Sequence, residues 1–297
     1  EEVENLVRAS GAKALFVDEE KLDFFEKSSS KSMKVHSLAK GRGAYIYELA
    51  SSGDFPIRPA ATEDLAAILF TSGTTGTPKG VMLTHRNLVS DCYLAQANLS
   101  IYHTDVFYAL LPLHHSYCML AVFIEALSVG AEIVFGKRLV IKQILHDLKA
   151  ARVTMFLGVP LLFNKVLAGI LRGIKEKGPA VNGILHFLMW KSGLVKKVFK
   201  FNPGKKLFHT VLDKASLATV RICISGGGPL APSVFRKYNQ LGIDFVQGYG
   251  LTETSPLLTL NPIDRYKETS VGKVIPGADL KIVDPDERGA GEIVVKG

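Results

Sequence analysis

The residues best suited to chemistry fall into four short stretches. TSGTTGTPKG, at 71–80, combines threonine and serine hydroxyls with three glycines and Lys79. Glycines let backbone N–H groups converge on an anion, hydroxyls add donors and a lysine adds charge, so the stretch suits phosphate. It is not a Walker loop, which needs Gly directly before the lysine and Ser or Thr directly after it; here Pro78 and Gly80 flank Lys79. In SGGGPL (225–230), Gly226, Gly227 and Gly228 lack Cβ atoms, so a flat purine can lie on their backbone. The same glycines also suit a tight strand-to-helix turn ahead of Pro229. PLHHSY (112–117) carries His114 and His115, side chains that can exchange protons near neutrality. By residue type alone they read first as a partly buried pair ending a strand. QGYGLTETSP (247–256) ends a strand with Glu253, a carboxylate that by residue type alone reads as solvated.

These stretches must be held by strands and helices, and the pattern for both is present. Val3, Leu6 and Val7 share a helical face, and AKALFV reads as a buried strand. AAILFT (66–71) enters the glycine-rich loop, GVMLTH leaves it, and Thr84 can cap a helix over 85–99. VFYALLP, EIVFG, VTMFLGV, VRICISG and IDFVQG then follow as strands separated by helix-length amphipathic segments. This alternation predicts an α/β fold of stacked, mainly parallel β-sheets with flanking helices. From about Asn261 the texture shifts to VGKVIPG, DLKIVD and GEIVVKG, the expected start of a small β-rich subdomain. The expected division is a core over 1–260 and a β-rich piece over 261–297. No apolar run reaches membrane-spanning length, because His114, His115 and Glu125 interrupt 107–136.

The four stretches, with GEIVVKG at 291–297, occur in the order found in the AMP-binding, adenylate-forming superfamily. That superfamily includes acyl-CoA synthetases, coumarate ligases, luciferases and peptide-synthetase adenylation domains. The agreement runs over most of the chain, which resembles long-chain fatty acyl-CoA synthetases in particular. The resemblance implies a reaction: a carboxylate attacks the α-phosphate of ATP, pyrophosphate leaves, and the thiol of CoA takes the acyl group. It implies roles as well. Thr71, Ser72, Gly73, Thr74, Thr75, Gly76 and Lys79 would enclose the β- and γ-phosphates. Gly226, Gly227, Gly228 and Pro229, with Gln247, Gly248, Tyr249 and Gly250, would form the nucleotide pocket, Tyr249 stacking on adenine. Thr252 would bond the α-phosphate, Glu253 would bind Mg²⁺, and His115 would lie near the substrate carboxylate and acyl tunnel. Cys118 departs from the glycine common at that place, which predicts a reshaped acyl entrance. The family's ribose-binding Asp and its C-terminal lid domain, with a catalytic lysine, match nothing here, nor do about a hundred residues at the amino end. The chain alone is therefore expected to be poorly active or inactive, as part of a longer enzyme.

Composition frames the same picture. In 297 residues, 47% are hydrophobic and 22% charged, a globular balance. Cys92, Cys118 and Cys223 are odd in number and widely spaced, which suits a reducing compartment such as the cytoplasm rather than a disulfide framework. The formal charge of +8 is concentrated: Lys165–Lys206 holds ten basic residues against Glu176 alone, interleaved with Phe187, Trp190 and Phe199. A solvated helical face and peripheral association at the inner membrane face both fit that segment. The length of this region and its basic, aromatic content resemble long-chain fatty acyl-CoA synthetases, which implies a medium-to-long-chain fatty acid. A fatty acyl-AMP ligase that uses a carrier protein, or a non-catalytic nucleotide- or acyl-adenylate-binding module, are the alternatives. Nucleic acid is not an expected partner, because none of the motifs would serve it.

Overall fold

The computed structural model describes residues 2–28, 33–49, 58–71 and 78–297. The chain divides into two compact units, Glu1–His85 and Arg86–Gly297. In the first, β1 (Ala14–Val17) and β2 (Lys34–Ser37) pair in parallel, with the helix Glu19–Ser28 between them in sequence. Val17, Leu22 and Phe25 form its small buried cluster. β3 (Leu65–Thr71) and β4 (Lys79–Thr84) form an antiparallel pair. β2 was not expected: KVHS is short and half polar, with too few residues to show a period.

The second unit is built on a seven-stranded sheet. Its strands are β5 (Val106–Ala109), β6 (Glu132–Phe135), β7 (Met155–Gly158), β8 (Ile222–Ser225), β9 (Asp244–Gly250), β10 (Leu257–Leu260) and β11 (Lys273–Val274). Across the sheet the order is β11-β10-β9-β8-β7-β5-β6. The run from β6 to β9 is parallel, and β10 and β11 add antiparallel edges. The mainly parallel α/β fold is therefore as the alternation predicts. β10 was not expected, because LLTL directly follows the polar LTETSP run and reads as part of that loop. β12 (Asp279–Val283) and β13 (Glu292–Lys296) form a separate antiparallel pair.

Successive side chains of a strand point to opposite faces, and the sheet's two cores follow that rule. Tyr108, Phe156, Cys223 and Phe245 point to one face. Phe107, Met155, Leu157, Ile222, Ile224 and Val246 point to the other. On the first face lie the helices Pro160–Lys175 and Pro232–Gln240, which contribute Phe163, Val166, Phe235 and Tyr238. The second face is covered by the continuous helical stretch 116–129, through Cys118, Val122 and Ala126. With helices on both faces, the parallel strands read as unbroken apolar runs rather than alternating ones.

The amino-terminal ends of the strands are tied by paired charges. Asp105, directly before β5, is 3% exposed and accepts from Arg221 Nε at 2.7 Å, Thr154 Oγ1 at 2.7 Å and the Tyr102 N–H at 2.8 Å. A second Arg221 nitrogen bonds the other Asp105 oxygen and also donates to Ser100 O at 2.6 Å. Burial alone would raise the Asp105 carboxyl, but the Arg221 and Thr154 donors hold it below the usual range. At the start of β9, Lys196 Nζ reaches Asp244 Oδ1 and Asn239 Oδ1, both at 2.6 Å. Lys196 is 6% exposed, so this member of the basic segment is an internal anchor rather than a surface charge.

Candidate functional site

The opposite, carboxyl ends of β5, β8 and β9 each lead into one of the sequence-predicted stretches. β5 leads to PLHHSY, β8 to SGGGPL and β9 to the LTETSP run. Chain order places β6 on one side of β5 and β7, β8 and β9 on the other, so the winding direction reverses at β5. In open α/β sheets, ligands bind outside the carboxyl ends at such a reversal.

Hydrogen bonds join the stretches. Ser116 Oγ lies 3.2 Å from Thr252 Oγ1, which connects the histidine stretch to the threonine–glutamate stretch. The Tyr117 hydroxyl donates to Ile224 O at 2.9 Å. The Tyr117 ring lies directly over Gly226, where an added Cβ would come within 3.1 Å of it. Gly227 has φ of +73°, a left-handed conformation that glycine adopts without strain. The turn is therefore buried at Gly226 and exposed at Gly227, Gly228 and Pro229. Gln247 is buried, with its amide 3.5 Å from Gly228 O. Ser225 is fully buried and its hydroxyl has no hydrogen-bond partner among the described residues.

Beyond β9 the chain reverses sharply. Pro256 O sits against Gly250, where no Cβ could be accommodated. Thr254 Oγ1 accepts from the Leu251 N–H at 2.9 Å and donates to Pro256 O at 2.8 Å, bracing the short helix Thr252–Thr254. Glu253 is exposed and lines a cavity of about 730 Å³ together with Arg86, Ser90, Asp91, Tyr93 and Ser255. That volume lies within the range of small-ligand sites. Half-buried Tyr249 and Gly248 pair with β10, facing Thr259 and Leu260.

His114 and His115 differ from the partly buried pair that residue type alone suggests. Both are exposed, with ring centroids 4.4 Å apart. The reason is local: His115 precedes the helical stretch and its carbonyl accepts from Cys118 and Met119 N–H, which turns the chain outward before the core resumes. Cys118 is 1% exposed and packs within the core, and burial pushes its thiol up to about 11.

Asp91 was not singled out in the sequence, where an acid on an amphipathic helix reads as solvated. It is 3% exposed and its Oδ2 accepts from the Leu257 N–H at 3.2 Å, holding the first residue of β10. Burial pushes its carboxyl up to about 8, with neighbouring Glu125 adding to the effect. Glu125 accepts from Gln96 at 2.7 Å, and burial raises its carboxyl too. Ser116 and Tyr117, by contrast, lay inside a quoted motif and were missed as its joints. Hydroxyls carry no sequence signal that says which partner they meet.

In the first unit, Thr71 and Lys79 are directly opposed across the β3–β4 pair, so the strands bring the two ends of the glycine-rich stretch together. Lys79 is exposed and Thr71 half-buried. Ser72, Gly73, Thr74, Thr75 and Gly76 lie outside the described residues.

Comparison with known proteins gives a consistent result. The sequence model of the family described as "AMP-binding enzyme" matches residues 1–297. Peroxisomal long chain acyl-CoA synthetase 6 of Arabidopsis thaliana is 33% identical over 266 residues, covering 82% of this chain and 36% of that protein. 4-Coumarate–CoA ligase 1 of Solanum tuberosum is 31% identical over 325 residues, covering all of this chain and 51% of the relative. The crystal structure of ATP-bound MatB from Rhodopseudomonas palustris superposes with a TM-score of 0.74 at 26% identity, covering 99% of this chain and 52% of MatB. The chain thus spans a third to a half of the curated relatives it matches.

Proposed function

Because this chain belongs to the AMP-binding enzyme family, we propose that it forms the phosphate- and acid-handling part of an ATP-dependent long-chain fatty-acid–CoA ligase. The observation that carries the reading is the Ser116–Thr252 contact, which joins the histidine stretch after β5 to the threonine–glutamate stretch after β9, across the carboxyl ends of the two strands between them. In the first step a fatty-acid oxygen attacks the α-phosphorus of ATP. The new P–O bond forms as the bond to the β-phosphate breaks, giving acyl-AMP and pyrophosphate. The thiol of CoA then attacks the acyl carbon and AMP leaves.

Little covalent chemistry falls to the protein, so its residues act by position and charge. Lys79, with Thr71 and Ser72 to Gly76, neutralises the departing β- and γ-phosphates. The Thr252 hydroxyl donates to an α-phosphate oxygen, while Ser116 fixes its orientation. Tyr249 stacks on adenine, with Gly226 to Pro229 and Gln247 to Gly250 as walls. His115 is exposed, as a group that must meet the incoming carboxylate requires. Glu253, exposed and lining the cavity, fits the single-carboxylate mode in which magnesium is held with substrate phosphates. When bound, magnesium supplies charge neutralisation on those phosphates. Among the described residues no cluster of three or more His, Cys, Asp or Glu could hold a metal.

The acid is a medium-to-long-chain fatty acid met at a membrane surface through residues 165–206, and the isolated chain is poorly active. An acid panel tests this with the full-length ligase, read by pyrophosphate release with and without CoA. Release should be greatest with long-chain acids, and thioester should form only with CoA. Preference for coumarate-like aromatic acids overturns the substrate assignment. Robust exchange by the 297 residues alone overturns the dependence on the rest of the enzyme.

A further inference from the structure

The helix Pro179–Phe199 has two apolar faces on opposite sides. One packs inward: Met189, Ser192 and Lys196 are buried, with Leu185 and Leu188 against the core. At 100° per residue these centre on one side of the helix, and Ile184, Phe187, Trp190, Leu194 and Val198 fall on the other. That outer stripe is exposed, at 59%, 53%, 55%, 49% and 59% respectively. Its length is about 21 Å at 1.5 Å per residue. An ordinary surface helix is polar opposite its core face. This one is apolar there, and its inner face is pinned by the Lys196–Asp244 pair, so the helix cannot roll to bury the stripe.

The charges beside the stripe say what covers it. Lys191 Nζ lies 4.8 Å from the Phe187 ring centroid, and Phe187 in turn stacks on Trp190. Lys197 and Lys200 are also exposed, and the sequence holds no acid between Glu176 and Asp213. An apolar protein segment without carboxylates laid over the stripe would desolvate Lys191 with no acid to pair it, which is costly. A second copy would set like charges against each other. A bilayer interface has neither problem, because lysine stems run along apolar surface to the headgroups and tryptophan favours that level. We propose that the outer face of the helix Pro179–Phe199 docks onto an anionic lipid surface, Phe187, Trp190, Leu194 and Val198 entering the acyl boundary while Lys191 and Lys197 meet headgroup phosphates. No helix among the described residues is long and apolar enough to cross a membrane, so contact through this face is interfacial.

The inference deepens the fatty-acid reading by naming where the acid is met. Its test uses no ATP, acid or CoA, so its failure and a failure of the exchange assay are distinguishable. Trp190 is the single tryptophan of the 297 residues and reports directly. Its emission is followed as the protein is titrated with phosphatidylcholine vesicles, with and without 30% phosphatidylglycerol. The expected result is a blue shift with the anionic vesicles, quenched by brominated acyl chains. The double variant Lys191→Gln/Lys197→Gln should partition about 30-fold more weakly, at about 1 kcal/mol per lysine. Leu194→Asp should abolish the shift with an unchanged circular dichroism spectrum, since Leu194 is exposed. Unchanged emission with anionic vesicles, equal partition to neutral ones, or concentration-dependent burial of Trp190 without lipid would each overturn the proposal.

Discussion

The two ends of the seven-stranded sheet are built from the same strands and differ in almost every polar detail. At the amino ends the buried charges have partners: Asp105 with Arg221 and Thr154, and Lys196 with Asp244 and Asn239. At the carboxyl ends, the Ser225 hydroxyl lacks a partner among the described residues, Gly227 is left-handed, and His114, His115 and Glu253 face solvent. One end spends its polar groups on holding strands together, and the other leaves them available to a ligand. The division teaches where to look for stability and where to look for chemistry in this chain.

The sharpest way to break that division is at the paired end. Arg221→Ala leaves the Asp105 carboxylate buried with its ion-pair partner gone, and should cost roughly 3–5 kcal/mol of stability by urea unfolding. A loss under 1 kcal/mol would mean that the pair is not a clamp. At the other end the balance reverses. Glu253→Gln in the full-length ligase should lower acid-dependent ATP–pyrophosphate exchange by about 10²–10³-fold. Because Glu253 is exposed, unfolding should change by no more than about 0.5 kcal/mol. Unaltered exchange would remove it from the reaction.

Asp91 tests the boundary between the two regimes, since it is buried yet holds the strand that follows the glutamate stretch. Its carboxyl is raised from 3.8 to about 8, mainly by burial, so the folded chain binds one more proton than the unfolded chain between those values. Stability contributed by this group is therefore present below the unfolded value and is lost as pH rises towards 8, with a slope of up to about 1.4 kcal/mol per pH unit. Asp91→Asn should flatten that slope in denaturation curves taken across the interval; an unchanged slope would assign the effect elsewhere. The smallest effect is expected for Tyr117→Phe, which removes one hydroxyl bond to Ile224 O and keeps the ring over Gly226. A cost of about 1 kcal/mol with little change in KM for ATP is expected. A large KM change would make the hydroxyl, rather than the ring, the support of the glycine turn.

Much of the fold was legible because parallel strands buried on both faces leave continuous apolar runs such as VRICISG, and these were read as strands. LLTL and KVHS escaped because a four-residue strand has too few repeats to show a period. The candidate stretches were legible from glycine spacing and motif order. The joints between them were not, because the Ser116–Thr252 contact spans 136 residues and the Asp91–Leu257 bond spans 166. Lys196 shows the same limit from the other side. In sequence it is one lysine of a basic run, and only the position of Asp244 makes it internal.

The three cysteines provide a built-in clock. Cys92, Cys118 and Cys223 are all buried, and burial raises all three thiols, so the folded chain should be nearly silent to thiol reagents at neutral pH. Cys223 lies on one face of the sheet and Cys118 on the other. The rate at which each becomes labelled therefore times the opening of its own side, and mass spectrometry of the tagged peptides would show which layer of helices lifts first.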